Sequence, residues 1–315
     1  MLDEDGLPKS SQALPEANPW PDINKVGLLT HQTHHRGPAR RFWNLKKGLE
    51  AYGVEVVQKP SLRGEYPSAC LQTIVGMESL NPKTTMFGPN IASYPTEFPS
   101  SFLSSGQHHF ILQSKWVVDM FSNFIDEDKL YICPVGVDHD AWFPADSSAC
   151  ITTDCFIYFK NRPRQDLDNV RRILKDLKLS YKVIDYGSYH ENELLNTCRS
   201  CRFAILLTNT ETQGNTTLQI LSANVPTYVF NAYTWHYERN NAITCPATSV
   251  AMFEVGVTGD VSPDSSIDID HFKQFLSKVD TYEPRKWIEE NLTIKHGAYY
   301  LLRAINRFQE QQAQK

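Results

Sequence analysis

The chain has 315 residues, 41% of them hydrophobic, and a formal net charge of −5. That length suits two domains of ordinary size, each able to bury a core. The acidic balance speaks against a nucleic-acid protein, whose domains carry a basic stripe, and no apolar run approaches the length of a transmembrane helix.

The first 22 residues are acidic and Pro-rich and read as a flexible arm, not a signal peptide. With no export signal, the 7 scattered cysteines read as reduced thiols of a cytosolic protein. Lys25 to Thr30 predicts a first strand. His31, His34 and His35 follow, then Arg36-Gly37-Pro38. Pro38 suits the first turn of a helix that runs to about Tyr52, with Phe42, Leu45 and Leu49 at helical spacing and Gly53 as its stop. Val54 to Val57 predicts a second strand. Residues 58–70 read as loop, 73–75 and 84–87 as strands. The Ser- and Pro-rich stretch 93–105 reads as a surface loop, and Phe110 to Leu112 as a short strand.

The second domain opens on an apolar strand, Cys155 to Phe159. Lys160, Arg162 and Arg164 follow at its carboxyl end, where a diphosphate would find compensating charge. A helix over 166–177 and a strand over 181–185 lead to the loop Tyr186-Gly187-Ser188-Tyr189, then a helix over 191–201. Phe203 to Leu207 reads as a fully buried strand. A polar turn with Glu211, Gln213 and Gly214 follows, then a helix from Asn215 to Asn224. Val225-Pro226 ends it, and Thr227 to Phe230 is the next strand. Strand, loop, helix and strand form the unit of a parallel α/β sheet. Asn215 and Thr216 open the helix, where free N–H groups and the helix dipole suit a phosphate. Residues 231–241 read as a loop rich in aromatic and polar groups. Helical pieces over 272–279, 283–292 and 293–312 close the chain, the last with Leu301, Leu302, Ile305 and Phe308 on one face.

Two groups suggest metal or redox chemistry at first sight. His31, His34 and His35 have no neighbouring Cys or Asp cluster at ligand spacing, so they read as polar surface or as a lining of an acceptor site. Cys198-Arg-Ser-Cys201 is a lone CxxC that ends a helix instead of starting one. A zinc site needs a second pair, so burial is the better reading.

The stretch from Thr208 to Phe230 resembles the donor-site segment of retaining glycosyltransferases of family 4, which have the GT-B fold. Their pattern is a Glu, Phe-Gly or Gln-Gly, a helix with a second Glu eight positions after the first, and a small-residue turn with Val-Pro. Here Glu211, Gln213-Gly214 and Ser222-Ala-Asn-Val-Pro226 match, while Gln219 stands where the second acid would be. The resemblance continues in the "GLEAYGVEVV" phrase, in the phrase from Ser114 to Phe121 whose Ser opens a helix, in the crossing segment Leu130-Tyr-Ile-Cys-Pro-Val-Gly-Val-Asp138, which implies a domain boundary near Asp138, and in the terminal helices, and covers most of residues 23–312. It implies that Gly37 lets backbone approach the donor phosphate or the acceptor. It implies that Gly187 and Tyr189 receive the nucleobase, that Lys160, Arg162 and Arg164 bind the diphosphate, and that Lys160 and Arg162 act in catalysis by taking its developing charge. It further implies that Glu211 orients the sugar and Gln219 the ribose, whose hydroxyl an amide can still bond.

The expected fold is therefore α/β of GT-B type: two Rossmann-like domains facing across a cleft. The expected organisation is an arm over 1–22, an acceptor-side domain over 23–138 and a nucleotide-sugar domain over 139–284. Helices over 285–315 are expected to return to the first domain. The expected activity is metal-independent transfer of a sugar from a nucleotide-sugar donor to a hydroxyl of a glycan, lipid or small molecule, with retention and without a cofactor. The alternatives are a sugar-nucleotide-binding subunit with little activity of its own, or an epimerase on the same fold. The expected setting is cytoplasmic or peripheral to a membrane, with neither a transmembrane segment nor a nucleic-acid partner.

Overall fold

The computed structural model describes residues 13–30, 37–58, 66–71, 79–89, 94–98, 100–145, 151–237, 240–263 and 268–314. The chain divides into two compact units, Met1–Val137 with Asn291–Lys315, and Asp138–Glu290.

The first unit is a six-stranded sheet in the order β2-β1-β3-β4-β5-β6. Its strands are β1 (Lys25–Leu29), β2 (Glu55–Gln58), β3 (Ser68–Cys70), β4 (Thr85–Phe87), β5 (His109–Leu112) and β6 (Leu130–Ile132), all paired in parallel. Helix α1 (Gly37–Ala51) turns Phe42, Leu45 and Leu49 into the core. It stops at Gly53, whose φ of +75° is the left-handed geometry that ends helices.

The loop expected over 58–70 is corrected at its end, because β3 lies between β1 and β4. Ser-Ala-Cys is too short to show alternation, and all three residues are buried, as central parallel strands are. The surface loop expected over 93–105 is also corrected. It contains a short helix α2 (Ser100–Ser104), and Phe98 and Phe102 are buried. Phe102 meets Phe87 edge-on at 4.7 Å. Serine and proline dominate the composition there, yet the two rings decide where the segment lies. The strand expected over 73–75 falls outside the described residues.

Helix α3 (Lys115–Phe121) follows β5. The last helix, α9 (Ile294–Ala313), buries Leu301, Leu302, Ile305 and Phe308 and packs on α1. The approach is close. A Cβ at Gly48 of α1 would sit 2.3 Å from the Ile294 carbonyl oxygen.

The second unit is a five-stranded parallel sheet, β13-β10-β9-β7-β8. Its strands are β7 (Thr153–Lys160), β8 (Tyr181–Asp185), β9 (Cys201–Thr208), β10 (Thr227–Val229) and β13 (Gly259–Val261), and its helices are α4 (Arg164–Asp176), α5 (Glu191–Ser200), α6 (Asn215–Ser222), α7 (Ile269–Lys278) and α8 (Pro284–Asn291). Leu167, Val170 and Leu174 of α4 and Phe272 and Phe275 of α7 pack over Ile157, Ile205 and Tyr228 of the sheet. The loop expected over 231–241 is corrected to a hairpin, β11 (Thr234–Tyr237) with β12 (Asn240–Pro246), paired antiparallel. Its return strand is too polar to be told from a loop by pattern.

The strand order positions the site. The chain steps from β7 outward to β8, then returns past β7 to β9 and continues the other way. Winding reverses between β7 and β9, and a crevice opens at the carboxyl ends of strands at such a reversal. The corresponding reversal in the first unit lies between β1 and β3. The chain that follows those strands, 31–36 and 72–78, is outside the described residues.

Candidate functional site

Lys160 ends β7 and Thr208 ends β9, and the two are register partners. Asn209 N–H donates to the Lys160 carbonyl at 3.1 Å, which brings the two exit loops together. Across them the Lys160 ammonium meets Glu211 Oε1 at 2.5 Å, the side chains only 21% and 14% exposed. The same ammonium lies 4.6 Å from the ring centre of Tyr186, which comes from the loop after β8. One cation is thus held by a carboxylate and an aromatic face, a cation–π contact. Both partners are groups that a bound anion would displace or supplement.

Helix α6 begins beside this pair. Its cap is Gly214, with φ of +80° and ψ of 68°, which has no side chain to offer the first turn. A residue with a Cβ would be strained there, and the Cβ would also press to 3.2 Å from Thr217 Oγ1. In the first turn, Thr216 Oγ1 accepts from the Tyr158 hydroxyl at 3.2 Å and lies 3.4 Å from the Tyr189 hydroxyl. Tyr158 is buried, and burial pushes its phenol well above the usual range, so it stays a proton donor. Asn215 and Thr216 are half-buried, and Gln213 and Gln219 are buried.

The three basic residues after β7 point to three different partners. Lys160 goes to Glu211. Arg162 Nε donates to Asp166 Oδ2 at 2.8 Å, its side chain 9% exposed. There it lines a cavity of about 450 Å³ with Val170, Ile173, Leu207 and Phe230. Arg164 meets Asp185 at 2.7 Å and lies 4.8 Å over the Phe159 ring. Gly187 takes a left-handed φ of +82° in the exposed loop after β8. Gly37 is the first residue of α1, in the other unit.

The structure therefore gathers Lys160, Glu211 and Tyr186 into one cluster. It gathers Tyr158, Tyr189 and Thr216 into another at the start of α6, and sends Arg162 and Arg164 elsewhere. Tyr158, between Ile157 and Phe159, looks like plain core in the sequence. Its place near the end of a strand was the one available signal. Thr248 was missed as well: its carbonyl accepts from Glu211 N–H at 2.9 Å.

His31, His34 and His35 lie outside the described residues. Among the described residues, no group of three His, Cys, Asp or Glu side chains stands ready for a metal ion. Cys198 and Cys201 are buried free thiols, and burial pushes both thiols up, away from the thiolate that redox or metal chemistry requires. Among the described residues, no helix is long and apolar enough to cross a membrane.

No protein-family model matches the chain, and no curated protein matches it. Solved structures do. The lipopolysaccharide outer core galactosyltransferase WaaB in its apo form aligns with a TM-score of 0.57 at 10% identity, over 90% of this chain and 99% of that one. AviGT4, a glycosyltransferase involved in avilamycin A biosynthesis, aligns with a TM-score of 0.56 at 13% identity, over 91% and 98%. The fold is GT-B. At such identities the likeness concerns architecture, and activity must be argued from the site.

Proposed function

We propose that this GT-B chain is a glycosyltransferase that moves a sugar from a nucleotide-sugar donor to an acceptor hydroxyl with retention of configuration. The observation that carries the reading is the Lys160–Glu211 pair at the winding reversal, beside the glycine-capped N-terminus of α6. Breaking the sugar–phosphate bond leaves negative charge on the diphosphate and positive character on the sugar. Lys160, with the N–H groups of Asn215 and Thr216, takes the developing phosphate charge. Glu211, released from Lys160 as the phosphate arrives, orients the sugar hydroxyls. Tyr189 and Gly187 border the nucleobase, Gln213 and Gly214 shape the turn, and Gln219 addresses the ribose. Arg162 and Arg164 add positive potential. The acceptor oxygen bonds to the anomeric carbon on the face the phosphate leaves, and its proton passes to a departing phosphate oxygen. This scheme uses no divalent metal. The acceptor is a glycan, lipid or small molecule.

A binding subunit with little turnover is favoured by one observation: each of the three cations after β7 already holds a carboxylate. Thermal shift and calorimetry against UDP, GDP, ADP and their common sugar conjugates separate these outcomes. Binding with turnover supports the transferase, and binding without turnover supports the subunit. Turnover that needs no acceptor points to an epimerase or a hydrolase. No nucleotide binding at all overturns the reading.

A further inference from the structure

Glu211 lies three residues beyond the end of β9 and four before the start of α6, so neither element fixes it. What fixes it comes from elsewhere. Asn231, just past β10, is 5% exposed. Its Oδ1 accepts from Ser249 N–H at 2.7 Å and from the Thr248 hydroxyl at 2.9 Å. Ser249 is fully buried, and its hydroxyl donates to the Thr208 carbonyl at 3.0 Å and accepts from Ala232 N–H at 2.8 Å. Thr248 Oγ1 also accepts from Val250 N–H at 3.1 Å, and the Thr248 carbonyl accepts from Glu211 N–H at 2.9 Å. One amide oxygen and one hydroxyl thus tie together the exit of β9, the exit of β10 and the chain returning from the hairpin. A backbone grip on Glu211, its N–H on the Thr248 carbonyl, hangs from that knot.

We propose that Asn231 is a positioning residue for Glu211. It fixes Thr248, whose carbonyl holds the Glu211 backbone where the carboxylate reaches Lys160. The two feet of the β11–β12 hairpin, 231–233 and 247–249, are the frame of that hold. Buried polar knots of this kind act as a unit, so removing one acceptor releases several groups at once. The acceptor is the amide oxygen, so Asn231→Asp keeps both bonds and Asn231→Ala keeps neither. The catalytic half of the inference rests on the proposed function, while the structural half does not.

The test has two arms. In the first, Glu211→Cys is labelled with a thiol reagent alone and combined with Asn231→Ala or Asn231→Asp, with the native thiols as controls. Asn231→Ala should raise labelling at 211 about tenfold, the effect of one or two lost hydrogen bonds on a local opening equilibrium. Asn231→Asp should restore the slow rate, and buried Cys155 and Cys198 should stay protected throughout. Unchanged labelling at 211, or native thiols that open in step with it, overturns the proposal. So does an Asp variant that fails to rescue. In the second arm, with Glu211 intact and the nucleotide sugar that wild type turns over best, Asn231→Ala should lower kcat at least tenfold. Its affinity for the matching nucleoside diphosphate should not fall. Equal loss of both marks a merely structural residue and overturns the catalytic half. A wild type that neither binds nor turns over any nucleotide fails the proposed function instead, and the labelling arm still decides the positioning.

Discussion

At the scale of single residues, Lys160 and Glu211 compete with any ligand for each other. A phosphate must draw Lys160 away from a carboxylate that already satisfies it. Lys160→Ala is therefore expected to weaken nucleoside diphosphate binding by about 1.5–3 kcal/mol, the worth of a charge-assisted hydrogen bond. Glu211→Gln should do the opposite. It frees the ammonium, so calorimetry should find the diphosphate bound as tightly or more tightly while turnover of a nucleotide sugar collapses. Tighter binding together with full turnover would remove Glu211 from the chemistry. A second residue, His108, concerns stability alone. Its ring stacks on Phe102 with centroids 3.6 Å apart, and its Nδ1 is buried with no hydrogen-bond partner among the described residues. Burial holds the imidazole below its ordinary value of 6.5. The fold thus resists the protonation that the unfolded chain accepts. Its contribution is whole above pH 6.5 and falls as pH drops from there through the folded-state value. His108→Phe should flatten the loss of denaturation midpoint between pH 7 and about pH 5, the range in which histidine titrates. A parallel fall in variant and wild type would contradict this.

At the scale of elements, α6 depends on its glycine cap. Gly214→Ala places a β-carbon in left-handed backbone, which costs about 1–2 kcal/mol, and presses it on Thr217. A lower melting temperature and a weakened diphosphate site are expected together, because the same turn aims the first N–H groups of the helix. A loss of stability with full diphosphate affinity would separate cap from site. This unit was legible in the sequence for a physical reason. β9 is an unbroken apolar run, and Gly214 and Pro226 punctuate the helix at both ends. The knot around Asn231 was not legible, because its partners are brought together by a hairpin whose return strand, Asn240–Pro246, has no clear hydrophobic alternation. β3 was invisible for the opposite reason: three small buried residues leave no pattern to read. The basic cluster shows a subtler limit. Spacing put Lys160, Arg162 and Arg164 in one loop, but three separate carboxylates, from α4, β8 and the loop after β9, divide them.

At the scale of the molecule, the second unit carries Lys160, Glu211, Tyr186, Tyr189 and α6 within a single stretch, 138–290. Nucleoside diphosphate affinity should therefore survive destabilisation of the first unit. A chain ending at residue 290 lacks α9 and leaves uncovered the α1 face that includes Gly48. Calorimetry should show its first-unit transition lost and diphosphate binding retained within about threefold, the margin within which independent sites add. Loss of binding in a variant whose second-unit transition is intact would place essential groups in the first unit, Gly37 first among them.

The packing of α9 on α1 also sets an order of events on the ribosome. Translation adds about 5–20 residues per second. The last helix that covers the first unit is made only after the whole of the second unit has been made. Until then the surface awaiting Leu301, Leu302, Ile305 and Phe308 is without its cover. The amino-terminal half of this chain thus cannot finish folding until its carboxyl-terminal residues are made.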